Sequence, residues 1–228
     1  MNRSDWLNEQ RRESEERYTT LWAPLYGEKW GLYSNATHQR FIHKFLRLLH
    51  PHSTILDAAC GAGRYSSMLL EAGHTVVGID QSEGMLFRAR ARFPDIQFEK
   101  VGLQEMPYHQ AFDGAICMDA MEHVCPEDWL LVLTNFHRAL RQPGYLYFTV
   151  EIAEENEIEL AFIRGGQLGF PIVYGEWADG DVYHYYPSVQ QVKQWILQAG
   201  FDLMEEGNGD GYRHFIIRKA SLVRIEQA

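Results

Sequence analysis

Apolar runs alternate with amphipathic segments along most of the chain. Five short runs rich in Val, Ile, Leu and Phe predict buried β-strands, at Thr54 to Ala58, Thr75 to Asp80, Ile96 to Glu99, Phe112 to Cys117 and Tyr145 to Val150. Segments with apolar residues at helical spacing predict helices before and between them, at 36–49, 64–72, 83–93 and 127–140. Strands and helices in alternation predict an α/β fold with a mostly parallel sheet.

The alternation ends after the fifth strand. Residues 151–186 begin with an acidic part, for which we expect a short helix, and continue as a glycine-rich stretch that we interpret as a lid-like insertion. A helix follows from Ser188, and then two apolar runs flank a Gly-Asn-Gly-Asp-Gly turn, at Phe201 to Glu206 and Tyr212 to Arg218. Two strands joined without a helix are antiparallel, so we expect a hairpin at the end of the sheet.

The N-terminal segment has a different character. Residues 4–18 are mostly charged, with opposite charges at helical spacing, which predicts a solvated helix. The aromatic-rich stretch behind it holds Pro24, Gly27 and Gly31, which we expect to interrupt any long regular element. Its rings serve either to pack the segment onto the core or to cap a bound ligand. We therefore expect one domain over residues 1–228, with a cap at about 1–35.

Composition narrows the classes of function. The chain of 228 residues carries a net charge of −10 and no stripe of Lys and Arg, which argues against a nucleic-acid partner and for a small molecule. No run approaches the roughly 20 apolar residues of a membrane span, and the start of the chain is charged, unlike a secretion signal. The three cysteines lack metal-ligand spacing, so we expect a cytoplasmic protein without a metal.

A turn of small residues follows the first strand. Residues 55–63 read Ile-Leu-Asp-Ala-Ala-Cys-Gly-Ala-Gly, and such a turn leaves backbone N–H groups bare for a ligand. Asp80 ends the second strand, where a carboxylate can hold a ribose hydroxyl pair. A glycine-rich turn with an acid about 20 residues on is the dinucleotide-type fingerprint.

Three further motifs follow in order along the chain. They are Phe112-Asp113-Gly114-Ala115-Ile116, Glu122-His123-Val124 and Leu140-Arg141-Gln142-Pro143-Gly144-Tyr145-Leu146. With the turn and Asp80, they resemble the class I S-adenosylmethionine-dependent methyltransferases of the small-molecule type, from about residue 36 to residue 219. The resemblance implies a Rossmann-like, doubly wound sheet with a C-terminal antiparallel hairpin strand, and S-adenosyl-L-methionine as cofactor.

The same resemblance implies roles for matching residues. The turn passes beneath the methionine part of the cofactor, the acid after the second strand binds the ribose, and later loops flank the adenine and the methionine end. The implied cofactor residues are Asp57, Ala59, Gly61, Asp80, Gln81, Gly102, Leu103 and Met118. Two positions depart from the family pattern, because Ala59 replaces the first turn glycine and Gly102 stands where many relatives have an acid.

Two other functions stay open. An NAD-dependent oxidoreductase also needs an acid near Asp80, but Ser66 takes the place of its third glycine and the hairpin favours the methyltransferase. A protein that binds S-adenosylmethionine without transferring its methyl group is compatible with the same motifs. The sequence leaves the oligomeric state undetermined.

Methyl transfer to an O, N or C atom needs a base when the acceptor carries a proton. The candidates are His123, His184 and His214, for each of which a packing role is at least as good an explanation. The candidate substrate-binding residues are aromatic: Trp22, Tyr26, Tyr33, Tyr183, Tyr185 and Tyr212. The acidic run at 151–159 is suited to attract an amine, although such a run is more often a solvated face.

Overall fold

Seven strands form the main sheet of the protein. The computed structural model describes residues 1–29, 35–178 and 182–221. The strands are β1 (Thr54–Ala58), β2 (Thr75–Asp80), β3 (Gln97–Lys100), β4 (Phe112–Cys117), β5 (Leu140–Glu151), β6 (Glu176–Trp177), β7 (His184–Tyr185), β8 (Phe201–Gly209) and β9 (Tyr212–Lys219). The main sheet has the order β3-β2-β1-β4-β5-β9-β8, and β6 pairs with β7 in a small second sheet.

Helices cover both faces of this sheet. They are α1 (Arg3–Arg17), α2 (Ala23–Lys29), α3 (Ala36–Leu46), α4 (Ser66–Glu71), α5 (Glu83–Arg92), α6 (Trp129–Ala139), α7 (Glu155–Gln167) and α8 (Val189–Gln198). Alternate residues of a strand face opposite layers, so Leu56 packs in the layer of α6 while Ile55 packs in the layer of α3. In the described part of the chain, no helix is long and apolar enough to cross a membrane.

The predicted sheet is confirmed. Strands β1 to β5 are parallel, and β9 pairs antiparallel with both β5 and β8, as the hairpin required. The order of the strands reverses at the boundary between β1 and β4, since β2 lies on one side of β1 and β4 on the other. Connections leave this boundary toward opposite faces, which opens a crevice at the carboxyl ends of β1 and β4.

The prediction of an interrupted N-terminal segment is wrong within the described residues. Helix α1 continues through one π-helical turn (Tyr18–Trp22) directly into α2. In that wide turn the backbone N–H of Ala23 donates to the carbonyl of Tyr18. Pro24 follows at once and has no N–H to continue the regular ladder, which accounts for the irregular turn at this point.

The region between β5 and α8 has more regular structure than the sequence predicts. The acidic part is not a short helix but the 13 residues of α7, which begin at a capping box formed by Glu154 and Glu157. The following stretch, predicted as a loop, contains β6 and β7.

An ion pair clamps the start of α1 to this insertion. The Arg3 guanidinium donates to Glu176 Oε1 at 2.7 Å, to the carbonyl of Pro171 at 2.7 Å and to Glu127 Oε1 at 2.5 Å. The Glu176 side chain is fully buried, and it also accepts from the backbone N–H of Val173 at 2.7 Å. A buried carboxylate needs such partners because its desolvation is costly. The clamp therefore fixes α1 over the sheet.

We expect Arg3→Ala to lower the free energy of unfolding by about 2 kcal/mol, because it removes charge-assisted hydrogen bonds from a buried carboxylate. Arg12→Ala is the matched control: its exposed guanidinium lies 3.5 Å from Glu9, and its loss should cost less than about 0.5 kcal/mol. Chemical denaturation measures both. Equal effects of the two substitutions would show that the clamp does not hold the helix.

Candidate functional site

A cavity of about 560 Å³ lies at the carboxyl ends of the parallel strands. Its floor comes from the turns after β1, β2 and β4, and its roof from α1 and the π-helical turn. Leu7, Arg11 and Tyr18 are among the roof residues that line it. All eight residues predicted to contact a cofactor lie in its wall: Asp57, Ala59, Gly61, Asp80, Gln81, Gly102, Leu103 and Met118.

The turn after β1 is held from below by Asp57. This buried carboxylate accepts the Ser66 hydroxyl at 2.6 Å, and burial, with the charge of Asp80, raises its pKa to about 7. Ala59 has a φ of 53°, a left-handed conformation that costs a non-glycine residue on the order of 1 kcal/mol. Gly61 has the same φ of 53°, at a position where no side chain penalty arises.

Asp80 joins the end of β2 to this turn. Its Oδ2 accepts the backbone N–H of Gly61 at 2.9 Å, and its Oδ1 accepts the backbone N–H of Ser82 at 2.7 Å. Burial raises its pKa to about 6, against the effect of these two hydrogen bonds. A carboxylate oxygen has room for a second donor, so the fixed carboxylate can still bind a diol from the cavity side.

The end of the cavity beside Gly102 also carries an acid. A side chain at position 102 would overlap the Glu105 carboxylate, which forms an ion pair with Arg11 of the roof. Asp128 lies in the wall instead and accepts Gln104 Nε2 at 3.2 Å. It precedes α6, far along the chain from Gly102, and sequence reasoning did not select it.

Asp119, directly after β4, is the most connected acid in the wall. It accepts His38 Nε2 at 2.6 Å, the Tyr65 hydroxyl at 2.9 Å and Arg64 at 3.3 Å. Burial alone would raise its pKa, but the His38 hydrogen bond and charge, with Tyr65 and Arg64, hold it below the usual value. Asp119 is thus an ionised anchor that fixes Arg64, whose guanidinium lies 5.6 Å from the centre of the Tyr26 ring.

His123 has both ring nitrogens engaged. A carbonyl only accepts, so Nδ1–H donates to the carbonyl of Tyr183 at 3.0 Å, and Nε2 accepts the Tyr18 hydroxyl at 3.0 Å. Burial lowers the pKa of His123 and keeps the imidazole neutral. The pair formed by Tyr18 and His123 lines the cavity opposite the turn after β1.

His184 is the second histidine in the wall. Its Nδ1–H donates to the carbonyl of Val182 at 2.9 Å, which directs Nε2 toward Glu151, 3.7 Å away. Its ring centre lies 4.7 Å from that of His123. Burial, together with the neighbouring His123, lowers its pKa to about 4.

His214 lies outside the cavity wall. It lies on the same strand as Tyr212, but its imidazole is fully buried. Its Nδ1 accepts a hydrogen bond from the Tyr147 hydroxyl at 2.9 Å, and its Nε2–H donates to the carbonyl of Gly209 at 3.3 Å. Its ring stacks on Phe41 at 4.7 Å between centres. Both nitrogens are occupied by the core, and burial lowers its pKa to about 4.

The aromatic candidates separate into two groups. Tyr26, Tyr183 and Tyr212 line the cavity. Trp22 packs near Ala23 and Met85 rather than in the wall, and Tyr185 is buried with its hydroxyl donating to Gln191 at 3.0 Å. Tyr33 lies outside the described residues. Among the residues that the structure describes, no group of three His, Cys, Asp or Glu side chains is arranged to hold a metal ion.

Comparisons with known proteins agree with this architecture. Residues 55–144 match a family model described as a methyltransferase domain. An uncharacterised methyltransferase of Oceanobacillus iheyensis is 24% identical over 199 residues, covering 78% of this chain and 93% of the relative. An uncharacterised methyltransferase of Synechocystis is 28% identical over 105 residues, 46% of this chain, and the match spans 49% of that relative.

A solved structure extends the likeness to nearly the whole chain. The 1,6-didemethyltoxoflavin-N1-methyltransferase of Burkholderia thailandensis, crystallised with 1,6-didemethyltoxoflavin and S-adenosylhomocysteine, superposes with a TM-score of 0.72. The superposition covers 97% of this chain and 92% of that chain at 17% sequence identity. At this identity the likeness shows the fold.

The buried His214 makes stability depend on pH. Between about pH 6.5 and pH 4 the unfolded imidazole binds a proton that the folded one does not, so acid should lower the free energy of unfolding. We expect His214→Gln to reduce this fall by on the order of 2 kcal/mol over that range. Denaturant titrations at several pH values measure the two slopes. Parallel curves for the two proteins would contradict the assignment of a neutral, buried imidazole.

Proposed function

We propose that this chain, a member of the class I S-adenosylmethionine-dependent methyltransferases, transfers a methyl group from S-adenosyl-L-methionine to an O, N or C atom of a small molecule. One observation carries the proposal. A single cavity joins the Asp80 and Gly61 turn, suited to a nucleoside, to a second end lined by Tyr18, Glu122 and Tyr212. Cofactor and acceptor can therefore meet in one cavity.

The residues present fit the cofactor. Asp80 is fixed by two backbone donors and faces the cavity with a carboxylate that suits a ribose diol. Asp128 supplies, from another element, the acid that Gly102 lacks, and it suits the exocyclic amine of adenine. The acids of the wall favour a positively charged ligand, because opposite charges attract strongly in a partly buried site. We propose the same eight wall residues as cofactor contacts.

When bound, S-adenosylmethionine supplies an electrophilic methyl group on a positively charged sulfur. The protein's share of the reaction is to align the acceptor with that group and to exclude water. Helix α1 and the π-helical turn contribute to the second task, since Leu7, Arg11 and Tyr18 line the cavity and shield part of it from water. The first task falls to the side chains at the end opposite Asp80, among them Tyr26, Tyr183 and Tyr212.

A protonated acceptor needs a base, and we propose His184 for this role. Its Nδ1–H is fixed by Val182, so Nε2 is the nitrogen that faces Glu151 and can take a proton. The pair formed by Tyr18 and His123 acts as a neutral hydrogen-bonding group beside it. We assign His214 to packing, because the core occupies both of its nitrogens.

The chemistry of the turn disfavours NAD as the ligand. The third glycine of the dinucleotide pattern is replaced by Ser66, whose hydroxyl supports Asp57 instead of leaving space for a pyrophosphate. We further propose a small-molecule acceptor rather than a nucleic acid, supported by the net charge of −10. The three free cysteines support a reducing, cytoplasmic location.

We expect Asp80→Ala to weaken the binding of S-adenosylhomocysteine by more than tenfold, because a fixed carboxylate makes charge-assisted hydrogen bonds to the ribose. Asp95→Ala removes the same charge from an exposed site and serves as control. Isothermal titration calorimetry measures both affinities. If Asp80→Ala binds as tightly as the wild type, Asp80 is not the ribose ligand.

Catalysis needs its own experiment. Incubation with S-adenosylmethionine and a panel of phenols, amines and carboxylates, read by mass spectrometry, should yield a product heavier by one methyl group. Thermal stabilisation by S-adenosylhomocysteine and not by NAD should accompany it. Stabilisation by NAD alone would favour an oxidoreductase, while tight S-adenosylhomocysteine binding without product from any acceptor would indicate a binding protein.

A further inference from the structure

Two acids meet at the end of the cavity opposite Asp80. Glu122 follows β4 in the Glu122-His123-Val124 motif, and Glu151 is the last residue of β5. Strands β4 and β5 are parallel neighbours, with Cys117 paired to Phe148, so their carboxyl ends lie side by side. Both side chains line the cavity.

Glu122 is buried and incompletely bonded. The residue is 2% exposed. Its Oε2 atom has no hydrogen-bond partner among the described residues, although the side chain forms part of the cavity wall. A buried acceptor without a donor is costly, and more so when the group is charged. The side chain of this wall residue therefore has an unused acceptor, which a ligand in the cavity that brings a donor to the carboxyl group would help to satisfy.

Among the residues that the structure describes, no cationic side chain in the cavity wall pairs with Glu122. The two cationic side chains in the described part of the wall are Arg11, which pairs with Glu105, and Arg64, which bonds to Asp119. Burial raises the pKa of Glu122 well above its usual value, and the charges of Asp119 and Glu151 raise it further. A positively charged ligand would relieve this repulsion, whereas a carboxylate or phosphate would add to it.

Aromatic rings complete the same end. Tyr18 and Tyr212 line the cavity. The Tyr18 hydroxyl donates to Nε2 of His123, the residue after Glu122, and Tyr212 on β9 is paired directly with Glu151 on β5. Tyr186 donates its hydroxyl to Glu151 Oε2 at 3.3 Å and fixes that carboxylate. Ring faces beside carboxylates are the surroundings that bind organic ammonium groups.

We propose that this end of the cavity, formed by Glu122, Glu151, Tyr18 and Tyr212, is a site for a protonated organic amine. The inference rests on the proposed function, since it assigns the acceptor of the methyl group to the class of amines. The Glu122 carboxylate accepts one ammonium N–H, Glu151 supplies a second negative charge, and the two rings enclose the carbon atoms beside the nitrogen. Before methyl transfer the ammonium loses one proton to His184 Nε2, the base proposed above, because only the neutral amine has a lone pair. The nitrogen then forms its bond to the methyl carbon as the bond from that carbon to sulfur breaks, and S-adenosylhomocysteine leaves.

The test compares ligands of one shape and different charge. Wild-type protein saturated with S-adenosylhomocysteine is titrated with 2-phenylethylamine, 2-phenylethanol and 3-phenylpropanoate in a calorimeter. We expect the amine to bind at least tenfold more tightly than the alcohol and the carboxylate. Equal or tighter binding of either comparison ligand, or no binding of the amine, would overturn the proposal.

Variants then locate the preference. Glu122→Gln should abolish the tenfold preference for the amine while S-adenosylhomocysteine binds within about twofold of wild type. Glu159→Gln removes an exposed charge from α7 and should keep the preference. Glu151 lies at a half-exposed position of the same site, and Glu151→Gln should reduce the preference for the amine. This variant provides the test if Glu122→Gln does not fold. A preference that survives both site substitutions would refute the role of the two acids.

Different results would refute the methyltransferase function and the amine site. If wild-type protein does not bind S-adenosylhomocysteine, the methyltransferase function is refuted before any amine is added. If it binds S-adenosylhomocysteine but shows no preference for the amine, the methyltransferase proposal stands and the acceptor belongs to another class.

Discussion

Two neighbouring parallel strands end together, and the chain leaves both through residues with positive φ. Ala59 follows β1 and Asp119 lies just beyond β4, each with a φ of 53°. These turns carry the chain away from the sheet at the point where the strand order reverses, and so they hold the crevice open. The strain is sustained by tertiary contacts, among them the donation of the Asp119 N–H to Thr149 Oγ1 at 2.8 Å. The cavity depends on this shared geometry.

The roof depends on contacts between distant charges. Helix α1 has few buried residues, Trp6 and Ser14, and a polar surface that would not hold it to the sheet by burial alone. Arg3 binds Glu127 and Glu176, Arg11 binds Glu105, and Glu15 lies 2.7 Å from Lys100. The ion pair between Arg3 and the buried Glu176 contributes most to holding α1 in place, since exposed ion pairs contribute little to stability. The Arg3 ion pair and the packing of Trp6 against Phe170 and Tyr183 together hold the N-terminal segment beside the cavity.

The sequence predicts the parts of the fold that local pattern determines. The bounds of β1, β2 and β4, the turn at residues 55–63 and the position of Asp80 at the end of β2 follow from apolar runs broken by small or acidic residues. Asp119 could not be selected this way, because Tyr65 and His38, which make it an anchor, lie 54 and 81 residues away in sequence. For the same reason, the sequence does not distinguish His214 from Tyr212. Alternation along the strand places both side chains on one face, but packing against distant residues determines that only Tyr212 lines the cavity.

We propose that one cavity holds the cofactor at Asp80 and an acceptor near the ends of β4 and β5. A crystal structure of the protein with S-adenosylhomocysteine tests this arrangement. We expect both ribose hydroxyls within about 2.5–3.0 Å of the Asp80 carboxylate oxygens and the sulfur directed toward the space between Tyr18 and Glu122. A nucleoside bound away from Asp80, or a sulfur facing a closed wall, would contradict the proposal that cofactor and acceptor share this cavity.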